Sequence, residues 1–177
     1  MVHTILILGH AVAGLAALVF GCLVLRPPPS VRSPRFRIYL ISLTAMFLLV
    51  VGVVAVDWVA LGAGQRVTFA LLLLLGGYTV LRGVQARRAL QRMPAGWRDR
   101  YVDHVGFTVI SLFDGFAIVG AIDLGALLPI VLAVGALGVV TGILAINRVK
   151  KRLAEDGPLD DERSARARAR AGAETRR

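Results

Sequence analysis

Long apolar stretches alternate with short polar segments over most of this chain. A helix needs about 17–25 mostly apolar residues to cross a hydrocarbon core, and five of the stretches reach that length. Lipid offers the backbone no hydrogen-bond partner, so each span must be helical. The predicted fold is an all-α polytopic membrane helix bundle, with one transmembrane domain over residues 1–154. Its five transmembrane helices are expected at residues 4–25, 38–56, 65–81, 102–122 and 127–146.

Proline and aromatic residues mark the ends of these spans. Arg26 and the three prolines after it end the first span, because proline cannot continue a helix. Residues 61–64 and 123–126 allow only tight turns between neighbouring helices. Trp97 and Tyr101 are expected as interfacial anchors before the fourth span, and Tyr39 is expected near an interface in the second.

Basic residues predict the orientation in the membrane. The net charge is +10, and of 21 Lys and Arg residues only Arg66 falls outside residues 26–37, 82–100 and 148–177. With five spans these three segments share one side, and basic segments beside spans mark the cytoplasmic face. The N-terminus is therefore expected outside and the C-terminus inside. Residues 155–177 contain almost nothing that could form a core, so they are predicted to be a disordered basic cytoplasmic tail.

The same residues predict contact with anionic lipids. Each Lys or Arg near an anionic membrane surface contributes about 1 kcal/mol of attraction. The expected headgroup contacts are Arg35, Arg37, Arg87, Arg88, Lys150 and Lys151. Nucleic acid is not an expected partner, because the basic segments lack a zinc pattern or a binding fold. Gly138 and Gly142 form a G-x-x-x-G step, which allows close packing on a neighbouring helix, another membrane protein or a second copy of the chain.

Cys22 is the only cysteine, so neither an internal disulfide nor a two-cysteine metal site is expected. The preceding Val-Phe-Gly at residues 19–21 has some similarity to a lipoprotein cleavage site. The start of the chain, however, lacks the basic region of an export signal. We therefore predict that Cys22 is a buried small residue rather than a lipidation site.

The sharpest chemical clue is Asp114, a carboxyl near the middle of the fourth span. An ionisable group at membrane depth costs on the order of a few kcal/mol or more, and it usually faces the interior of the protein. At helical spacing His104, Thr108, Ser111 and Gly115 form one stripe, and Asp114 follows Ser111 by one turn. This spacing predicts a polar ladder from one membrane surface to the midplane.

Two interpretations of Asp114 stay open. In the functional one the carboxyl exchanges protons or binds a cation, and a relay connects it with the cytoplasm. The members of that relay are Ser111, Thr108, His104 and Asp103. In the structural one the carboxyl is neutral or hydrogen-bonded and fastens helices together. Its candidate partners are then Tyr78, Thr79 and Thr44.

His10 and Gly14 share a face of the first span with other small residues, which indicates a ligand site or a helix-packing site inside the bundle. Two histidines on one haem iron must lie close together, whereas His10 and His104 are expected about 20 Å apart along the membrane normal. No cofactor and no metal site is therefore predicted. A haem held by one histidine, or a bound quinone, is the alternative. Outside the membrane we expect an ion pair between Asp57 and Arg66.

Short features of the chain resemble a group of uncharacterised bacterial multi-pass membrane proteins. They are the segment HAVAG at residues 10–14, the segment RFRIY at residues 35–39, and His104 at the start of a later span. That group tends to carry a His-Arg pair before its second span, and here Phe36 and Arg37 stand in its place. The resemblance brings no established activity. The Ala, Arg, Gly and Val bias resembles high-GC bacterial proteins, which implies a bacterial plasma membrane.

Enzyme motifs are missing from the sequence: it contains no phosphate-binding glycine loop, no H-E-x-x-H, no G-x-S-x-G and no C-x-x-C. We therefore predict no catalytic residue and no enzymatic activity. The leading functional prediction is an accessory or interaction component of the membrane. The alternative is a proton- or cation-coupled carrier or channel that uses Asp114, and the second alternative is a haem- or quinone-binding redox protein.

Overall fold

The structure is a computed structural model that describes residues 2–25, 30, 32–93, 96–125, 127, 129–130 and 132–152. Within these residues helix is the only regular secondary structure. Five helices are long and apolar enough to cross a membrane, which confirms the predicted all-α class and the number of spans. They are α1 (Val2–Leu25), α2 (Pro34–Asp57), α3 (Ala63–Arg92), α4 (Trp97–Asp123) and α5 (Leu132–Arg152). The predicted tail at residues 155–177 lies outside the described residues.

Helices α2, α3 and α4 are longer than the apolar spans that predicted them, because residues such as Ala, Gln and Arg favour helix beyond the apolar region. α3 continues to Arg92, well past the predicted end of its apolar span at residue 81, and is followed by Met93, which has a positive φ of 40°. The Met93 N–H donates to the Ala89 carbonyl at 3.0 Å. α2 begins with Pro34 in its first turn, where the missing N–H costs no bond.

The first four helices form a closed antiparallel ring, in which α1 and α3 each contact α2 and α4. α1 and α2 approach closely where Gly21 leaves room for the ring of Tyr39. At the other end of this pair, His3 Nε2 lies 2.9 Å from Asp57 Oδ2. The start of α1 therefore meets the end of α2, as the up-and-down topology requires.

α5 stands outside this ring and packs along α4. Three pairs meet across the contact: Gly138 with Asp114, Gly142 with Ile110, and Ile146 with Gly106. Each step forward along α5 is matched by an equal step backward along α4, so the two helices are antiparallel. The predicted G-x-x-x-G step is thus used inside the chain, against α4. Only 6% of the most apolar stretch of α5 is buried inside the protein, so this helix lies at the periphery of the bundle.

Three aromatic side chains of the core are buried at the end of the bundle where α2 and α4 begin. Phe36, Tyr39 and Tyr101 are all at most 1% exposed there. The Phe36 ring lies 5.8 Å from that of Tyr39 and 6.2 Å from that of Tyr101. Every described Lys and Arg except Arg66 also lies at this end, which we call the basic end.

Two tyrosines that the sequence suggested for the membrane interface belong to this core instead. The Tyr101 hydroxyl donates to the Val24 carbonyl of α1 at 2.8 Å. The Tyr39 hydroxyl bonds the hydroxyl of Thr108 on α4. Both rings turn inward because each finds a polar partner on a facing helix, which satisfies the hydroxyl without water.

Two further predictions need correction. Cys22 is exposed on α1 rather than buried, because the small residues of α1 that face the bundle lie on another side of the helix. Asp57 does not pair with Arg66 but with His3. The Arg66 guanidinium reaches the Val59 carbonyl instead, at 3.5 Å, because it follows the turn back over Trp58.

Candidate functional site

Asp114 lies in the contact between α4 and α5 and is 9% exposed. Its carboxyl fills the space that Gly138 of α5 leaves, so closely that any side chain at position 138 would collide with Oδ1. This oxygen is buried and has no hydrogen-bond partner among the described residues. A glycine on the peripheral helix therefore makes room for the carboxyl without offering it a donor.

The partners predicted for a structural Asp114 bond elsewhere. The Thr44 hydroxyl donates to the Leu40 carbonyl at 2.9 Å, and the Thr79 hydroxyl donates to the Leu75 carbonyl at 2.7 Å. Both therefore bond their own helix, as Ser and Thr commonly do. The Tyr78 ring packs edge-on against Phe107 at 5.1 Å. None of the three fastens Asp114 to a neighbouring helix.

The predicted polar ladder of α4 is divided. The buried Thr108 directs its single hydroxyl proton to the Val105 carbonyl at 2.7 Å, so Tyr39 must donate to the Thr108 oxygen. This short chain of bonds ends on a backbone carbonyl and does not continue to Ser111. Gly115 is exposed, with no atom of another helix near its face. Asp114 is thus separated from the part of the predicted ladder that lies nearer the start of α4, at Thr108 and His104.

His104, the ladder residue nearest the start of α4, belongs to a cluster of polar side chains between α3 and α4. The Arg82 guanidinium lies 5.3 Å from the Phe107 ring centre. One turn further along α3 comes Gln85, and one turn back along α4 comes His104, so these two face each other in an antiparallel pair. Arg82 Nε, Gln85 Oε1 and His104 Nδ1 are all buried without a described hydrogen-bond partner.

The sequence predicts only one member of this polar cluster (Arg82, Gln85 and His104). His104 belongs to the predicted relay, whereas Arg82 and Gln85 lie beyond the predicted third span at residues 65–81. The spacing of Arg82 and Gln85, one turn apart, is the signal that could have placed both on one helix face. Asp103, the last member of the predicted relay, lies 2.6 Å from Lys150 of α5 through Oδ1.

His10 and Gly14 lie in the contact between α1 and its neighbours. His10 Nδ1 is 3.0 Å from the Met46 carbonyl, which makes that nitrogen the donor. Gly14 leaves room for Phe116 and Met46. The α1–α4 register places His10 about 24 Å from the level of His104, at 1.5 Å per residue, so one haem iron cannot join them. No group of three His, Cys, Asp or Glu among the described residues could hold a metal ion.

The predicted headgroup contacts all lie at the basic end. Arg35, Arg37, Arg87, Arg88 and Lys151 are exposed there. Lys150 differs, because its ammonium group is paired with Asp103. Exposed arginines of both α2 and α3 therefore lie at the basic end.

Comparison with known proteins adds no family to this picture. No protein-family model matches the chain, and neither the curated proteins nor the solved structures contain a match.

Proposed function

We propose that the protein is a multi-pass protein of a bacterial plasma membrane and serves there as an accessory or interaction component without enzymatic activity. The observation that carries this proposal is the hydrogen bonding of three polar side chains between helices. His10, Tyr39 and Tyr101 each bond a group on another helix. Side chains engaged in this way hold the bundle together and are not available to a substrate.

The proposed orientation has the N-terminus outside and the C-terminus inside. It is supported by the basic end, which contains every described Lys and Arg except Arg66. Basic residues beside membrane spans are retained on the cytoplasmic side. The starts of α2 and α4 and the ends of α1, α3 and α5 would then face the cytoplasm.

Cysteine labelling tests this orientation directly, because Cys22 is the only cysteine to remove. In a Cys22→Ala background, Val59→Cys reports on one end of the bundle and Met93→Cys on the basic end. Both positions are exposed, at 89% and 60%. A membrane-impermeant maleimide should label position 59 in intact cells, whereas it should label position 93 only after the membrane has been permeabilised. The reverse pattern would contradict the orientation.

A second candidate function is proton or cation transport through Asp114. One observation favours it: Asp114 Oδ1 is buried without a described hydrogen-bond partner. An unpaired carboxyl inside a membrane suits proton or cation uptake. The Thr108 hydroxyl bonds back to its own helix, so the predicted polar ladder does not connect Asp114 with the basic end.

Proteoliposomes with an entrapped pH dye distinguish the two functions. The protein is reconstituted, a membrane potential is imposed, and proton entry is compared for the natural chain, Asp114→Asn and the control Asp99→Asn, which makes the same exchange at an exposed residue outside the predicted relay. The accessory function predicts the same slow entry in all three. Entry that is fast in the natural chain and in Asp99→Asn, but lost in Asp114→Asn, would replace it with the carrier.

A further inference from the structure

A groove at the basic end lies between the first turns of α2 and the last turns of α3. It encloses about 640 Å³, within the range of about 300–1,000 Å³ that is usual for ligand sites. Its polar part is formed by Arg32, Arg37, Arg87 and Gln91, and none of the described residues that line it is a carboxylate. We call it the arginine groove.

The groove is amphipathic along its length. Packing of Gly83 against Leu40 sets the antiparallel register of α2 and α3. The same register brings Gln91 to the level of Arg32, and Arg87 to the level of Phe36. The charged part therefore lies at the helix ends. Towards the middle of the bundle the wall is apolar, formed by Leu40 and by Ile41, which is 63% exposed.

We propose that the arginine groove binds an anionic phospholipid, with the phosphate among the arginines and an acyl chain along Leu40 and Ile41. Three guanidinium groups with no carboxylate among the described lining residues favour an anion, and Arg offers paired donors that match phosphate oxygens. The aligned peptide dipoles of α2 add partial positive charge at its start, where Ser33 makes no side-chain capping bond.

The position of the groove selects a lipid over other anions. Arg87 lies about 7.5 Å along α3 from its last residue, at 1.5 Å per residue, which is headgroup depth if the basic end faces the cytoplasm. A free phosphate would leave the apolar wall uncovered. An acidic peptide in water would not reach Ile41 in the acyl region. This inference rests on the proposed membrane insertion and names the lipid that the basic end recognises.

The chain offers a matched control for the test. The groove variant is Arg37→Gln with Arg87→Gln, both in the groove. The control variant is Arg100→Gln with Arg148→Gln, which removes the same charge from two exposed residues at the basic end that lie outside the groove and outside the predicted headgroup contacts. A third variant, Ile41→Trp, narrows the apolar wall and keeps every charge. Circular dichroism in detergent verifies the helical fold of each variant.

Native mass spectrometry of the full chain in mild detergent gives the binding constants. The probes are phosphatidylglycerol, phosphatidylcholine with the same acyl chains, and inorganic phosphate. The natural chain and the control variant should bind one phosphatidylglycerol tightly. The groove variant should bind it on the order of thirty-fold more weakly, roughly fivefold for each arginine near a membrane surface. Ile41→Trp should also weaken binding, which no purely electrostatic attraction would explain.

Three results would overturn the proposal. Equal losses in the groove and control variants would mean a diffuse charge effect. Equal binding of phosphatidylcholine would remove the role of the anion, and displacement of the lipid by inorganic phosphate would identify a free-anion site. None of these depends on the orientation of the chain. Cysteine labelling and lipid binding can therefore fail separately, and each failure points to its own proposal.

Discussion

Replacing Tyr101 by phenylalanine should uncap the end of α1. The Tyr101 hydroxyl donates to the Val24 carbonyl at 2.8 Å. In a longer helix that carbonyl would accept from residue 28 or 27, but both positions are proline and have no N–H to donate. The Tyr101 hydroxyl on α4 therefore supplies the hydrogen bond that the two prolines after α1 cannot donate.

The expected cost follows from burial. Tyr101 is 0% exposed and Val24 is 1% exposed, so water does not replace the lost donor. A buried carbonyl left without its partner costs about 1–3 kcal/mol. Phenylalanine keeps the ring that packs 6.2 Å from Phe36, so the loss is confined to the hydrogen bond. We expect a destabilisation of about 2 kcal/mol, within that range.

Thermal unfolding in detergent, followed by circular dichroism, measures this loss. A chain of this size shifts by about 2–4 °C per kcal/mol, so Tm should fall by roughly 4–8 °C. Tyr78→Phe is the matched control, because Tyr78 is 45% exposed and its hydroxyl makes no described bond. If both variants melt together with the natural chain, the capping role of Tyr101 is refuted.

Two further predictions concern the attachment of α5. Gly142→Val should loosen α5 from α4, because a Cβ there lies 2.5 Å from Ile110 Cγ1; overpacking of this kind costs about 1–3 kcal/mol. Its Tm should fall below that of Gly115→Val, whose Cβ meets nothing within 4 Å, and equal values would contradict the described packing. Lys150→Met should cost only about 0–1 kcal/mol in a denaturant titration, since exposed ion pairs are weak. The Lys150 and Asp103 side chains are 28% and 46% exposed, and a much larger loss would mean that the pair is shielded.

The number and class of the helices followed from the sequence because apolar length alone determines what a bilayer accepts. The packing inside the bundle did not. Tyr101 resembled an interfacial anchor, since it stands between a basic loop and a span. Its actual role depends on the absence of N–H groups at two prolines far away in the chain.

The contacts of the candidate site could not be predicted from the sequence either. The sequence identified Asp114 by its depth, but nothing in its neighbourhood indicated that Gly138 lies opposite. The helical stripe grouped Thr108 with Gly115 by spacing, although one is buried and the other exposed. Spacing describes one helix at a time, whereas burial depends on the register between helices. That register arises from small residues and shape, for which one sequence gives no pairwise signal.

The bond between Tyr101 and Val24 also has a consequence for biosynthesis. Its two residues are 77 positions apart, so α1 leaves the ribosome long before its cap exists. At a synthesis rate of about 5–20 residues per second, the nascent chain waits roughly 4–15 s for Tyr101. During that interval the Val24 carbonyl at the end of α1 lacks the hydroxyl that later donates to it. The ring is completed only when α4 arrives, and α5, which contacts α4, joins last.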